Sequence, residues 1–207
     1  PSLYTPLEGE GGDVTKRVKS FYEENPFPNY DGLEDFGELV SKGSQNTFSA
    51  NLLKAVGYNK TVLECGCGTG QLSHFLQLNN NHVLGIDMSL GSLRLAVEHK
   101  QRNQLARTSF CQMNIFDLAV KDASFDIVIS HGVLHHTFDA KRAFGHIAPN
   151  LYLVDCVVPR SRLTEVLARV GQIGEQYGIT IANVFHAGDG NLHPCMLFDE
   201  RQPGEMD

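Results

Sequence analysis

The ten residues Thr61 to Gly70, TVLECGCGTG, constrain the fold more than any other stretch: a short apolar strand runs directly into three glycines spaced G-x-G-x-G. A side chain at Gly66, Gly68 or Gly70 would obstruct both a sharp turn and the close approach of a ligand to the main chain. The pattern predicts a strand, a tight turn and a helix start, with a nucleoside cofactor against bare backbone. An ordinary strand-to-helix connection is the competing reading of such a turn taken alone. A second apolar strand, His82 to Ile86, ends in Asp87, seventeen residues after Gly70. A carboxylate there can accept hydrogen bonds from both ribose hydroxyls. FCQMNIFD, Phe110 to Asp117, and a strand from Phe125 to Ser130 follow, so three strand ends face one crevice. Helices between the strands, Leu72 to Leu78 and Leu90 to Gln104, give β-α-β-α-β order, and the predicted class is α/β with a doubly wound sheet.

Val62 to Gly70, Val83 to Asp87, Met113 to Leu118 and SFDIVISHGVLHH resemble the successive motifs of class I S-adenosylmethionine-dependent methyltransferases, over about the first two thirds of the chain. The resemblance implies a Rossmann-like doubly wound sheet of that type and S-adenosyl-L-methionine as cofactor. It also implies that Glu64 and the loop residues Gly66, Cys67, Gly68 and Gly70 face the methionine part, while Asp87 binds ribose. Asn114 stands where the family usually carries an aspartate beside the adenine amino group; its amide oxygen can accept the same hydrogen bond, so weakened recognition is expected. Met88, Ile115 and Ser130 complete the expected cofactor-binding set. G-x-G-x-G, unlike G-x-G-x-x-G, disfavours a nicotinamide cofactor.

At 207 residues and 42% hydrophobic content the chain is long enough for one doubly wound domain, or one domain plus a fragment. No apolar run is long enough to span a bilayer, and the start PSLYTPLEGEGGD lacks the basic and apolar parts of a secretion signal, so a cytoplasmic protein without membrane partners is expected. Cys65, Cys67, Cys111, Cys156 and Cys195 read as buried thiols, and Cys65-x-Cys67 has the wrong spacing for a zinc knuckle. A formal net charge of -7 without a Lys/Arg cluster argues against a nucleic-acid partner and favours a small-molecule methyl acceptor.

Residues 1–13, rich in Pro, Gly and Glu, are expected to be a flexible N-terminus. A helix is predicted over Val14 to Glu24, ending before the turn NPFPNY, and the acidic run Glu23 to Glu38 reads as a solvated face or loop. The first segment resembles the lid of several small methyltransferases, which makes Tyr22 and Tyr30 candidates to line the transfer cavity; covering the core is the equally weighted alternative.

The pattern changes near Ala140 to Pro149, where the family's Pro-Gly-Gly turn is absent. The remainder, with VPRSRL and HAGDGNLH, resembles the C-terminal cap of FAD-linked 2-hydroxyacid dehydrogenases of the glycolate oxidase and D-lactate dehydrogenase group. That resemblance implies a metal role for His186 and His193, but the family's acidic ligand and flavin-binding domain have no counterpart in these residues, and a plain strand-end hairpin is favoured. The expected organisation is therefore a methyltransferase domain over 14–145 joined to a flavoenzyme-like segment over 146–207. Strands predicted at Leu151 to Val158, Ile179 to Phe185 and Leu192 to Phe198, with a helix over Ser161 to Tyr177, are expected to supply the last strands of the same sheet.

Methyl transfer from a sulfonium is an in-line displacement that rests on alignment. The acceptor is expected near Ser130, His131 and Gly132, beneath the Tyr22 to Tyr30 lid, with His135 as a further acceptor-side residue. His131 is the first candidate base, followed by His135 and His136. The alternatives are a fragment of an FAD-linked dehydrogenase and a hybrid that binds cofactor without turnover.

Overall fold

Four short apolar runs form the parallel strands β1 (Thr61–Cys65), β2 (His82–Asp87), β3 (Thr108–Gln112) and β4 (Ile127–Ser130), paired in the order β3-β2-β1-β4. The computed structural model describes residues 2–4, 9–147, 151–153, 156–157, 159–178, 180–186 and 191–197. The chain divides into two units, Pro1–His146 and Ile147–Asp207.

In the first unit β1 lies between β2 and β4 and is buried from Val62 to Cys65, as expected of a strand covered on both faces. The chain steps outward through β2 and β3, then returns to the other side of β1 with β4. That reversal opens a crevice beyond the carboxyl ends of β1 and β4. Helices α4 (Gln71–Leu76) and α5 (Leu90–Arg102) follow the first two strands, and α6 (Ala140–Ile147) follows β4. Val62, Leu76, Val83 and Ile129 form one apolar cluster with Val56, while Leu93, Ala96 and Phe110 pack with Cys67 in another.

Three helices precede the sheet: α1 (Gly9–Glu24), α2 (Phe36–Gln45) and α3 (Thr47–Val56). Residues 9–13, expected to be flexible, are instead the first turns of α1, and Leu3 donates its N–H to the Gln112 carbonyl at 2.7 Å. The acidic run read as a solvated face or loop contains the start of α2, with Glu24, Asp31, Glu34, Asp35 and Glu38 exposed. Asp35 accepts from the Glu38 amide at 2.9 Å and Glu38 accepts from the Asp35 amide at 3.3 Å, a reciprocal capping box.

The end of α1 is fastened to the start of α5. Glu23 accepts from the Leu90 and Gly91 amides at 2.9 and 2.6 Å, and Ser89 donates its hydroxyl to the Tyr22 carbonyl at 3.0 Å. Burial works against the Glu23 carboxylate, but the two amides and Lys19 hold it below the usual carboxylate range. A carboxylate on orphan amides at a helix N-terminus is favourable. Glu23→Ala is expected to lower stability by about 1 to 2 kcal/mol, read by urea unfolding.

The second unit contains β5 (Leu151–Leu153), β6 (Cys156–Val157), α7 (Leu163–Tyr177), β7 (Thr180–His186) and β8 (Asn191–Leu197). β7 and β8 pair antiparallel from Thr180↔Leu197 to His186↔Asn191, and β5 and β6 pair antiparallel to β8. This corrects the expectation of one completed sheet: among the described residues the C-terminal strands form a second, antiparallel sheet. The local β7/β8 pair offers β8 as a ready template, and the apolar run after residue 150 joins it. β5 takes Leu197 to Cys195 and β6 takes Leu192 and Asn191, with Pro194, which has no N–H to donate, between the two pairings. The AGDGN turn falls on residues 187–190 and Asn191, of which only Asn191 lies within the described residues. No described helix is long and apolar enough to cross a membrane.

Candidate functional site

The glycine turn leaves β1 at Cys65 with Gly66 and Gly68 both at positive φ (75° and 54°). A methyl on Gly68 would overlap the Phe27 carbonyl, and one on Gly66 would overlap the Val133 side chain. The turn is therefore sandwiched between the lid segment and the loop after β4. Several hydrogen bonds tie the lid segment down: the Thr69 amide donates to Phe27 at 3.2 Å, the Thr69 hydroxyl to the Pro28 carbonyl at 2.5 Å, and Gln71 to the Asn29 carbonyl at 2.5 Å.

Beside this turn lies a cavity of about 620 Å³ within the first unit. Of the predicted residues, Tyr22, Glu64, Gly66, Cys67, Gly68, Asp87, Met88, Ile115 and His131 line it. Asp87 accepts from the Gly68 amide and the Ser89 amide, each at 2.8 Å, so one carboxylate fixes the glycine turn and the loop after β2 together. Burial raises the Asp87 pKa despite these amides. Glu64 is 5% exposed and accepts from the Ser73 hydroxyl. Burial pushes its carboxyl up to about 7, the Asp87 charge adds to the rise, and Ser73 works against it. Burial also pushes the Cys67 thiol well above its ordinary value, with Glu64 adding to the effect. Cys65, Cys67 and Cys111 are buried free thiols, Cys67 packing beside the turn.

Other predicted residues sit outside the lining. Gly70 abuts Phe110 and Ala96, so its lack of a side chain serves helix-sheet packing. Asn114 is buried and its amide oxygen accepts from the Phe116 amide at 3.1 Å. Ser130 ends β4 with a buried hydroxyl that has no partner among the described residues. Tyr30 donates its hydroxyl to the Thr69 carbonyl at 2.7 Å and stacks on His99 at 4.4 Å, so it braces the glycine turn from behind. Burial raises the Tyr30 pKa.

Tyr30 heads a ladder through His99 and His74 to Phe110, with ring centroids 4.4, 5.0 and 5.2 Å apart. His74 donates from Nε2 to the Ala96 carbonyl at 3.1 Å and accepts at Nδ1 from the Thr108 hydroxyl at 3.3 Å. Burial pushes it down to about 3, with His99 contributing. His99 is also lowered by burial.

Of the residues expected near an acceptor, His131 is exposed and stacks on Phe48, centroids 4.3 Å apart. Tyr22 and His136 meet across the cavity, with Oη and Nε2 3.2 Å apart. His135 belongs to the same short turn, Leu134–His136, and its side chain lies outside the described part of the structure. Lys42, Phe48 and Phe75 also line the cavity and were not anticipated. Lys42 and Phe48 belong to α2 and α3, and the Asp35-x-x-Glu38 capping box is the signal that exposes the first of these helices.

His186 ends β7, and His193 lies on β8 opposite Val184. Their side chains lie outside the described part of the structure. No group of three or more potential metal ligands occurs among the described residues.

The profile of a methyltransferase domain matches residues 57–180, running past the division between the units. Glycolate oxidase subunit GlcD of Escherichia coli K12 is 49% identical over 64 residues, 31% of this chain and 13% of that protein. An uncharacterized protein of a Synechococcus strain is 32% identical over 146 residues, 67% of this chain. The chain spans 34% of that relative's length. The crystal structure of magnesium protoporphyrin IX methyltransferase from Synechocystis PCC 6803 with bound SAH is 18% identical. It aligns with a TM-score of 0.54 over 89% of this chain and 100% of that one, a likeness of fold. The parallel sheet with its glycine turn and the profile covering more than half of its length agree, and the chain belongs to the methyltransferase domain family.

Proposed function

We propose that this chain transfers the methyl group of S-adenosylmethionine to a small-molecule acceptor, with residues 14–145 as the cofactor-binding domain. The observation that carries the reading is the Asp87 carboxylate, which fixes Gly68 and Ser89 while lining the cavity. Each carboxylate oxygen has accepting capacity left after one amide, so a ribose diol can be held without releasing the turn. Gly66 and Gly68 line the cavity with main chain alone, and the missing side chain of Gly68 lets the Phe27 carbonyl pack against the turn. Glu64, beside Gly66, faces the amino-acid end of such a ligand, and Met88 and Ile115 flank the base.

When bound, the cofactor supplies an activated methyl group. The chain's residues align an acceptor against it: Val18 and Tyr22 on the lid side, Phe48 and His131 on the other. The net charge of -7 and this mostly apolar wall favour an uncharged small molecule over a nucleic acid.

Calorimetric titration with S-adenosylhomocysteine tests the reading. The wild-type chain is expected to bind. Asp87→Ala, losing charge-assisted hydrogen bonds, is expected to bind roughly 100-fold more weakly, about 2.7 kcal/mol. Equal affinity in the two proteins would overturn the assignment.

A further inference from the structure

Methylating a neutral hydroxyl releases a proton, and the cavity holds one hydrogen-bonded pair able to carry it outward. Tyr22 comes from α1 and His136 from the turn after β4; both line the cavity, and their Oη and Nε2 atoms are 3.2 Å apart. Their rings meet edge to face, with centroids 5.9 Å apart. Tyr22 is half-buried and His136 exposed, so the pair runs from the cavity to solvent. His131 differs: its ring lies face to face on Phe48, and among the described residues no hydrogen bond fixes its tautomer.

We propose that Tyr22 and His136 form a proton relay for an acceptor that is a weakly acidic hydroxyl, phenolic or enolic, on an apolar planar body; the proposal rests on the methyltransferase reading above. As the acceptor oxygen bonds to the methyl carbon, the methyl–sulfur bond breaks and its electron pair stays on sulfur. The acceptor's proton passes to Tyr22 Oη, the tyrosine's own proton passes to His136 Nε2, and the exposed imidazolium releases it to water. Tyr22 is the group that touches the acceptor, and His136 acts through it.

The acidity of the acceptor follows from matching. A phenol hydrogen-bonded to an imidazole takes a proton readily from a hydroxyl that is itself weakly acidic, and has no useful driving force toward an aliphatic alcohol. The walls agree: Leu39, Phe48, Phe75 and Val133 offer flat apolar surface.

The test uses para-nitrophenol as a stand-in acceptor with the full chain saturated in S-adenosylhomocysteine, one pH unit below the phenol's own pKa. Free, the phenol is about one-tenth ionised under that condition. The nitrophenolate absorption, normalised to bound phenol by equilibrium dialysis, is expected to rise roughly fivefold on the wild-type complex. Tyr22→Phe and His136→Gln, each checked for S-adenosylhomocysteine binding by calorimetry, are expected to return it to the free level. An undiminished rise in both variants, no rise on the wild type, or no binding of the phenol overturns the relay. Absence of the S-adenosylhomocysteine isotherm in the wild type overturns the cofactor reading itself, a separate and visible failure.

Discussion

Gly68→Ala is expected to destabilise the first unit by roughly 3 kcal/mol and to lower its unfolding midpoint by roughly 6 to 12 °C. Three contributions add. Gly68 has φ +54°, which costs an alanine about 1 kcal/mol. The new methyl would overlap the Phe27 carbonyl, and main chain can yield only by lifting the segment that receives the Thr69 amide and hydroxyl. Those hydrogen bonds contribute about 1 kcal/mol each. The Gly68 amide would also turn away from Asp87, now 2.8 Å away, so S-adenosylhomocysteine affinity is expected to fall by roughly 100-fold. Gly145→Ala is the control. It sits in α6 with open space around it, and should be neutral or slightly stabilising. Thermal unfolding and calorimetry of both variants check the pair of expectations.

A second large effect is a pH dependence that separates Glu64 from its surroundings. Burial raises the folded-state pKa of Glu64 from 4.5 to about 7, so between those values the folded chain holds a proton that the unfolded chain has released. Stability from this group is complete below about pH 4.5 and is lost as the pH rises toward 7. His74 runs the other way: held down to about 3, it stays neutral in the fold while the unfolded imidazole binds a proton below its ordinary 6.5. Asp87, raised by burial, adds to the Glu64 side, and His99, lowered by burial, to the His74 side. The wild-type profile is thus flattened by opposing slopes. Glu64→Gln removes one of them and leaves the rest. Its stability relative to wild type is expected to improve by up to roughly 3 kcal/mol as the pH rises from 4.5 to 7, as measured by urea unfolding across that range. A constant difference across the series would contradict the buried-acid assignment.

The glycine turn and the strand-end aspartate were legible because local backbone requirements create them. A glycine turn that no side chain fits, and an aspartate at the end of a neighbouring strand, are written in consecutive residues, and Gly66, Gly68 and Asp87 line the cavity. Tyr30 shows where such reading stops. Its neighbourhood was clear, but its hydroxyl is engaged by the Thr69 carbonyl and its ring by His99, partners distant in sequence and set by how the lid segment lies on the turn. The wall around Lys42 and Phe48 was least legible, because Lys42 rides on α2, whose start is hidden within a run that charge counting assigned to solvent, and Phe48 on the first turn of α3. In the second unit the element types were readable, whereas the choice of pairing edge was not. Order along the chain fits both a continued parallel sheet and a separate antiparallel one, and the β7/β8 pairing decides between them.

Strand β4 is laddered to β1 along one side, and among the described residues its other side has no strand; Val128 on it is 40% exposed. The two halves of the cavity therefore differ in compliance. The glycine turn and Asp87 stand on β1 and β2, each clasped from both flanks, and their amides should exchange with deuterium only in rare, wide openings. The stretch from Ser130 to His136 follows a strand that is paired on one side among the described residues, and it is expected to exchange sooner. A stiff floor beneath a yielding wall lets one cavity admit ligands of unequal girth.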